Sequence, residues 1–332
     1  MIKSIRFRNF RALRDVTLPL GRFTLLVGPN GSGKSTAMQA FQFVLGETPK
    51  GLHDWISLEA DQASEVSVHL TWVEDGDEYV TGAVLRKSSS YIDHSPEADS
   101  SGFSAGRLRD FLRSFRIFSF DADAIAASVE TSPSPQLGED GSNLAAVLDA
   151  LRDSHPERFE ALNTELNRWL PEFDRILFET PSKGKKTFLV RTSVGHHRLR
   201  ARDLSQGVLF ALAFLALAYL PEPPSIVCFE EPDRGIHPRL LIDIKDAMYR
   251  LAFPENYGEE RAPVQVIATT HSPYLLDLYK EHPEQIVIAH KNLNGVHFER
   301  LSEKPHLKEI LASAPLGDVW FSGILGGVPA TP

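Results

Sequence analysis

The chain has 332 residues, 42% of them hydrophobic and 24% charged, with a formal net charge of −9. That is the composition of a soluble globular protein with a full core, in one large domain or two ordinary ones, and its acidic balance does not advertise nucleic-acid binding. No apolar run reaches the ~20 residues of a membrane span, the N-terminus "MIKSIRFRNF" has no apolar signal core, and the single cysteine, Cys228, excludes an internal disulfide or a C-x-x-C metal motif; a cytoplasmic location is expected.

In chain order, "IKSIRFRNF" and "VTLPL" alternate like strands, and "RFTLLVG" is continuously apolar, as a buried strand of a mixed or parallel sheet should be. A Gly-rich turn follows, and "KSTAMQAFQFVLG" has helical spacing with Gly46 as the expected C-cap. Residues 65–86 predict two antiparallel strands joined at Glu74–Asp77, and Ser88–Gly106, Ser-rich and polar, predicts a loop or insertion. Residues 107–120 predict a short helix and then a strand at "RIFSF". Residues 131–141, with Pro133, Pro135 and Gly138, predict a second loop. Two helices fill 142–170, two or three strands occupy 173–201 with a turn at "SKGKK", and a long apolar helix at 205–219 leads into a buried strand at 225–230. A helix from 239, the strand "VQVIAT", a short helix near 273–279 and the strand "QIVIAH" follow. No repeat of 20–50 residues and no long heptad run is visible.

"GPNGSGKST", Gly28–Thr36, fits G-x-x-x-x-G-K-[ST] between an apolar strand and a helix, the context this motif requires. Its glycines let successive backbone N–H groups turn inward and form an anion-binding nest at a helix N-terminus. The chain is therefore expected to bind ATP through Asn30, Gly31, Ser32, Gly33, Lys34, Ser35 and Thr36. Lys34 would reach the β- and γ-phosphates and Ser35 would give an oxygen to Mg²⁺. A phosphate cradle also needs a carboxylate on the metal and a group that positions water. Glu230 and Glu231 follow directly on the apolar run Ile226–Phe229. On a continuing strand their side chains point to opposite faces and do different work: Glu230 is assigned to the magnesium shell and Glu231 to the attacking water.

With these motifs in place, the chain resembles the ABC-type ATPase heads of the RecF/SMC class, and among them the stand-alone ATPases of the AAA15/AAA21 type. Those are related to the overcoming-lysogenisation-defect (OLD) nucleases but lack a Toprim domain. "IRFRNFRAL" is similar to that class's first strand with its Asn-Phe-Arg, "GPNGSGKST" to its Walker A, "LSQG" (Leu204–Gly207) to its LSGGQ-type signature, "IVCFEEPDRGIHP" to its Walker B and D-loop, and "IATTHSP" to its switch-histidine segment. The resemblance runs from residue 1 to about 275 in the class's order. It implies an α/β fold, a P-loop NTPase of the ABC-ATPase head type: a central mixed or parallel sheet with an antiparallel β subdomain and a helical subdomain. Residues 1–332 would form a single head. Within it, 1–120 would be the Walker A lobe with the β subdomain, 121–203 a helical and β insertion, 204–300 the signature, Walker B and switch lobe, and 301–332 a tail.

The resemblance further implies a homodimer, or higher homo-oligomer, closed around ATP. Ser205 and Gly207 of one subunit would contact the γ-phosphate held by the other, Asp233 would cross the interface, His271 would sense the γ-phosphate and Arg11 would lie near the nucleotide. Departures are the signature's Gln206 and Val208, a Glu in place of the Walker B aspartate, and no evident Q-loop glutamine, for which Asp121 or Asp123 is a candidate substitute. His237, before Pro238, is typical of the relatives and open to a structural role.

About 60 residues follow His271 and hold no Asp-x-Asp, so no Toprim nuclease is expected within the sequence. Members of this class often act with a separately encoded effector, in many cases a nuclease, in anti-phage defence, which is the favoured reading. A RecF-type recombination-repair ATPase is the alternative, and a transporter nucleotide-binding subunit is disfavoured by the same departures. The run Pro181–Arg202 carries seven basic residues and no acidic one; a basic hairpin of this kind can hold DNA phosphates without reading sequence. The apolar, Gly-rich tail packs back on the domain, or else offers Trp320, Phe321 and Leu325 to a partner.

Overall fold

In a computed structural model, the described residues are 1–45, 55–56, 65–74, 76–86, 92–96, 112, 114–130, 132, 135–292 and 295–326. They group into two units: residues 1–115, 225–230 and 265–332 form one, and residues 116–224 and 231–264 the other. The expected cap at Gly46 and most of the short helix expected after residue 107 lie outside the described residues.

The first unit holds an antiparallel sheet and a largely parallel one. The antiparallel sheet runs Leu13–Pro19, Ile2–Phe10, Glu65–Glu74, Asp77–Arg86, Ile92–Pro96. Its first strand buries Ile2, Ile5, Phe7 and Phe10 and exposes intervening positions, the near-alternation that a one-sided strand requires. The hairpin closes at Glu74 opposite Asp77, as expected. Within Ser88–Gly106, expected as a loop or insertion, Ile92–Pro96 forms an edge strand: it pairs with Asp77–Arg86, from Leu85 opposite Ile92 to Thr81 opposite Pro96. The sequence IDHSP has no apolar alternation, so only backbone pairing identifies the strand, and a proline is tolerated at the end of an edge strand.

The second sheet of this unit orders Gly295–Arg300, Ile286–Asn292, Phe23–Val27, Gln265–Thr270 and Ile226–Glu230. The last four strands are mutually parallel, and Gly295–Arg300 closes the edge as an antiparallel hairpin. All residues of Phe23–Val27 and Gln265–Thr270 are buried, which is why both read as continuous rather than alternating apolar runs. Gln265 joins the two sheets: its Oε1 accepts from Ile2 N at 2.9 Å, and its Nε2 donates to Ile2 O at 2.6 Å and Gly21 O at 2.9 Å. Gln265→Leu would remove the side-chain partner of those three backbone groups, of which the two on Ile2 are buried. It is expected to lower unfolding free energy by about 2–4 kcal/mol in urea denaturation, since each buried unsatisfied group costs ~1–3 kcal/mol before relaxation.

The tail folds back on this unit through helices Leu307–Ser313 and Leu316–Phe321. Gly317 N donates to Asp277 Oδ1 at 2.7 Å, and a Cβ at Gly317 would stand 2.6 Å from Pro273 O, so only glycine allows this approach to the helix Pro273–Asp277. Trp320 and Leu325 are buried; Phe321 is turned outward, 82% exposed.

The second unit contains helices Leu144–Ser154, Pro156–Trp169, Gln206–Tyr219 and Leu241–Ala252, with the hairpin Phe173–Ser182/Lys185–Thr192 flanked by Arg198–Arg200 and Val129–Glu130. Gln206–Tyr219 is apolar on every side and buries Val208 through Tyr219, so it is a core helix rather than an amphipathic one. The basic run is less positive in space than along the chain. Arg191 makes a two-pronged bond to Asp174 at 2.8 and 2.9 Å, Lys186 meets Asp149 at 3.3 Å, Arg200 meets Glu179 at 3.4 Å and Arg202 meets Asp203 at 4.0 Å. Lys183, Lys185 and Arg198 have no ion pair among the described residues. No helix among the described residues is long and apolar enough to cross a membrane.

Candidate functional site

The sequence motifs of the first unit converge at one end of its parallel strands. Val27, the last residue of its strand, stands opposite Thr270; Thr269 stands opposite Glu230, the last residue of its own. Glycine loop, switch segment and Walker B carboxylate thus leave the sheet at the carboxyl ends of three consecutive parallel strands, where open α/β sheets hold their ligands. The P-loop and Walker B strands are separated by one strand, hence by two inter-strand spacings of ~4.8 Å, about 10 Å.

Gly28–Gly33 turns tightly, and Lys34–Leu45 starts directly from it as a 12-residue helix. Gly31 and Gly33 adopt φ values of 73° and 86°, which side-chain-bearing residues rarely adopt. At Gly28 it is the close approach of the backbone that demands glycine: a Cβ would lie 2.6 Å from Ser32 Oγ and 2.7 Å from Ala289 O. Lys34 is nearly buried and folded over the loop, its Nζ donating to Gly28 O at 2.7 Å and Pro29 O at 3.0 Å. Ser32 Oγ is buried and has no hydrogen-bond partner among the described residues. A buried ammonium and an orphaned hydroxyl in a glycine-walled turn fit a polyphosphate. Asn30 and Ser35 are exposed and Thr36 half-buried.

Arg11 lies in the same unit and is fixed in place. Its Nη1 donates to Gln39 Oε1 on the P-loop helix, its guanidinium stacks over Trp55 at 4.5 Å, and its backbone N donates to Trp55 O at 2.7 Å. Its φ of 50° is a left-handed conformation at the tight turn after Phe10. Gln39 and Trp55 were not legible as supports, because neither belongs to a motif. His271 is half-buried directly after Thr270. Ser272 Oγ then caps the following helix by accepting from Leu275 N at 3.3 Å, which fixes how the chain leaves the strand.

Glu230 ends its strand half-buried, and Glu231 departs from it with a φ of 48°. The strand does not continue, so a left-handed turn, rather than strand alternation, separates the two carboxylates. Burial, with the negative charge of Glu230 second, pushes the Cys228 thiol well above its ordinary value and keeps it neutral. The expected Mg²⁺ donors, Ser35 and Glu230, carry hard oxygens of the kind that ion takes. Among the described residues no three His, Cys, Asp or Glu side chains cluster as a protein-only metal cage, and Mg²⁺ in phosphate sites characteristically takes one or two protein oxygens.

Glu231, Ser205, Gly207 and Asp233 belong to the second unit. Ser205 is exposed at the N-cap of Gln206–Tyr219 without a side-chain cap bond, so its hydroxyl is not used to hold the helix. Gln206, which stands where the signature has glycine, packs on the D-loop: a Cβ at Gly235 would lie 2.7 Å from its amide carbon. Gly207 approaches the same backbone, with Gly235 O 3.3 Å from its Cβ position. Asp233 is half-buried in the turn that returns Ile236 N to Asp233 O at 3.2 Å. Two other candidates have local structural work. Asp121 Oδ1 caps a helix by accepting from Ala124 N at 2.8 Å, and His237 Nδ1 accepts from Arg239 N at 3.2 Å.

A family profile described as "AAA domain, putative AbiEii toxin, Type IV TA system" matches residues 23–277. An OLD nuclease of Thermus scotoductus is 41% identical over 75 residues, 21% of this chain and 14% of that protein. Structural maintenance of chromosomes protein 1 of Caenorhabditis elegans is 43% identical over 53 residues, 15% of this chain and 4% of that protein. The chain therefore spans a small fraction of these relatives. Among solved structures, an Smc head bound to the C-winged helix domain of ScpA superposes with a TM-score of 0.62 at 16% identity, covering 92% of this chain and 99% of that one. An Smc head with an extended coiled coil, bound to the C-terminal domain of ScpA from Pyrococcus furiosus, gives 0.59 at 16% identity over 94% and 99%. At these identities the likeness is one of fold, and that fold is the ABC-type ATPase head expected from the motifs.

Proposed function

The chain belongs to this AAA-domain family, an ABC-type ATPase group related to the OLD and SMC proteins, and from that premise we propose that it binds and hydrolyses ATP and dimerises around it. In this reading it is the motor or sensor subunit of a DNA-linked system, an anti-phage defence in which a separately encoded effector, such as a nuclease, carries out the attack. The observation that supports the ATP site best is the convergence of the Lys34 loop, Glu230 and His271 at the carboxyl ends of consecutive parallel strands. The N–H groups of Gly31–Ser35 and the ammonium of Lys34 bind the phosphates. Ser35 and Glu230 would hold Mg²⁺, which when bound neutralises charge on the triphosphate. Glu231 positions and polarises the attacking water, and His271 and Arg11 lie near the γ-phosphate and the nucleotide. Ser205, Gly207 and Asp233 would complete the site of a second copy, the start of the helix at Gln206 turning its positive end to the phosphate. DNA contact is assigned to Lys183, Lys185 and Arg198, the cations of the basic run that the fold leaves without ion pairs among the described residues. That an Smc head binds ScpA is a property of that protein; it supports the idea of a protein partner here and does not identify one.

The dimer is tested by light scattering on Glu231→Gln, which should trap the ATP-bound state. The mass is expected to double with Mg-ATP and to stay monomeric when Ser205→Arg is added, because a long cation at an exposed signature position blocks closure. A mass indifferent to ATP would remove the support for Ser205, Gly207 and Asp233 as trans contacts.

A further inference from the structure

We propose that Lys291, outside every recognised motif, is a second lysine of the phosphate site; this rests on the reading that the Gly28–Thr36 loop holds a nucleoside triphosphate. The parallel register places Ile286 opposite Leu25 and Ile288 opposite Val27. Beyond Val27 the two chains keep company: the strand's next residue, Ala289, presents the carbonyl oxygen and Cβ that crowd Gly28. Two residues later Lys291 reaches the glycine loop itself, with Nζ 3.8 Å from the position a Cβ on Gly31 would take, and no other heavy atom of the described residues from outside the adjoining chain lies within 4 Å of that position.

The hairpin that carries Lys291 is braced at both ends of the loop. Lys291 pairs with Val296, and the Val296 methyl groups lie 3.5 and 3.6 Å from the Cβ position of Gly33. Its backbone therefore cannot drift away from the loop without exposing those contacts. The side chain itself is exposed and has no hydrogen bond or ion pair among the described residues, so none of these engages its cation. An ammonium on a long stem, carried by a paired strand beside a phosphate-binding turn, suits a point-charge contact to phosphate oxygens. Lys34 comes from the helix side of the loop; Lys291 comes from the neighbouring strand, and the two would approach the triphosphate from different elements.

The test is equilibrium binding of a fluorescent ATP analogue at low salt by the full chain and by Lys291→Met, Lys291→Arg, Lys280→Met and Lys34→Met. Lys280 is an exposed lysine paired with Glu281 on another element and controls for bulk charge. Lys291→Met is expected to weaken binding about tenfold, as loss of one charge-assisted phosphate contact does; Lys291→Arg should retain most of the affinity and Lys280→Met all of it. Equal thermal midpoints without nucleotide for the full chain, both Lys291 variants and Lys280→Met would show that these fold alike. Wild-type affinity in Lys291→Met, with Lys34→Met impaired, overturns this inference alone. Affinity that survives Lys34→Met undiminished overturns the P-loop reading and this inference with it.

Discussion

Glu231→Gln is expected to slow ATP turnover at least ~100-fold, the range lost when a water-positioning group is removed, while ATP binding persists. The substitution is close to isosteric, so what it removes is the carboxylate charge and one acceptor. The backbone also makes this an unusually clean experiment. Glu231 has a φ of 48°, and Arg234 N bonds back to its carbonyl at 2.9 Å. A non-glycine residue held in the left-handed region costs about 1 kcal/mol or more. Glutamine bears that cost equally, and melting should not change. A glycine would relieve it, yet the chain keeps a carboxylate there, directly after the Walker B strand. Phosphate release under single-turnover conditions reads the chemistry, and equilibrium ATP binding reads the ground state. A rate equal to wild type would take Glu231 out of the reaction.

Much of this arrangement was legible in the sequence because the buried parallel strands leave an unmistakable mark. Phe23–Val27, Ile226–Phe229 and Val266–Thr269 stand as unbroken apolar or small-residue runs, each followed at once by the polar group it presents: the glycine loop, Glu230 and the Thr-His-Ser segment. The helix at Gln206 was visible for the same reason, since a helix buried on every side needs no amphipathic pattern to be seen. What escaped were features set by pairing across distant parts of the chain. The edge strand Ile92–Pro96 is defined by backbone pairing to a neighbour and not by its sequence pattern. The partial neutralisation of the basic run depends on Asp149, Asp174 and Glu179, none of which lies inside it. Gln39, Trp55 and Lys291 belong to no motif and become site residues only because the sheet register and the P-loop helix bring them there.

Lys34→Met is expected to reduce ATP affinity by on the order of 100-fold or more, since truncating one partner of a buried, hydrogen-bonded charge pair costs roughly 2–5 kcal/mol. Lys34 is 7% exposed, and its ammonium is already held in the loop by Gly28 O and Pro29 O. Phosphate binding thus finds the charge largely ordered, and little entropy remains to be lost. The same two bonds set a bound on the damage to the nucleotide-free chain: each is a net contribution of about 1 kcal/mol, and methionine retains the apolar stem. Stability and affinity can therefore be separated by thermal unfolding with increasing ATP. At a ligand concentration 100 times its Kd, binding adds ~2.7 kcal/mol to wild-type stability. At that same concentration a variant weakened 100-fold is only half-saturated and gains about 0.4 kcal/mol. The predicted signature is a modestly lowered midpoint without ATP and a nearly flat response to it. A Lys34→Met chain that rose with ATP as steeply as wild type would mean that the nucleotide is bound somewhere other than the loop between Val27 and the helix at Lys34.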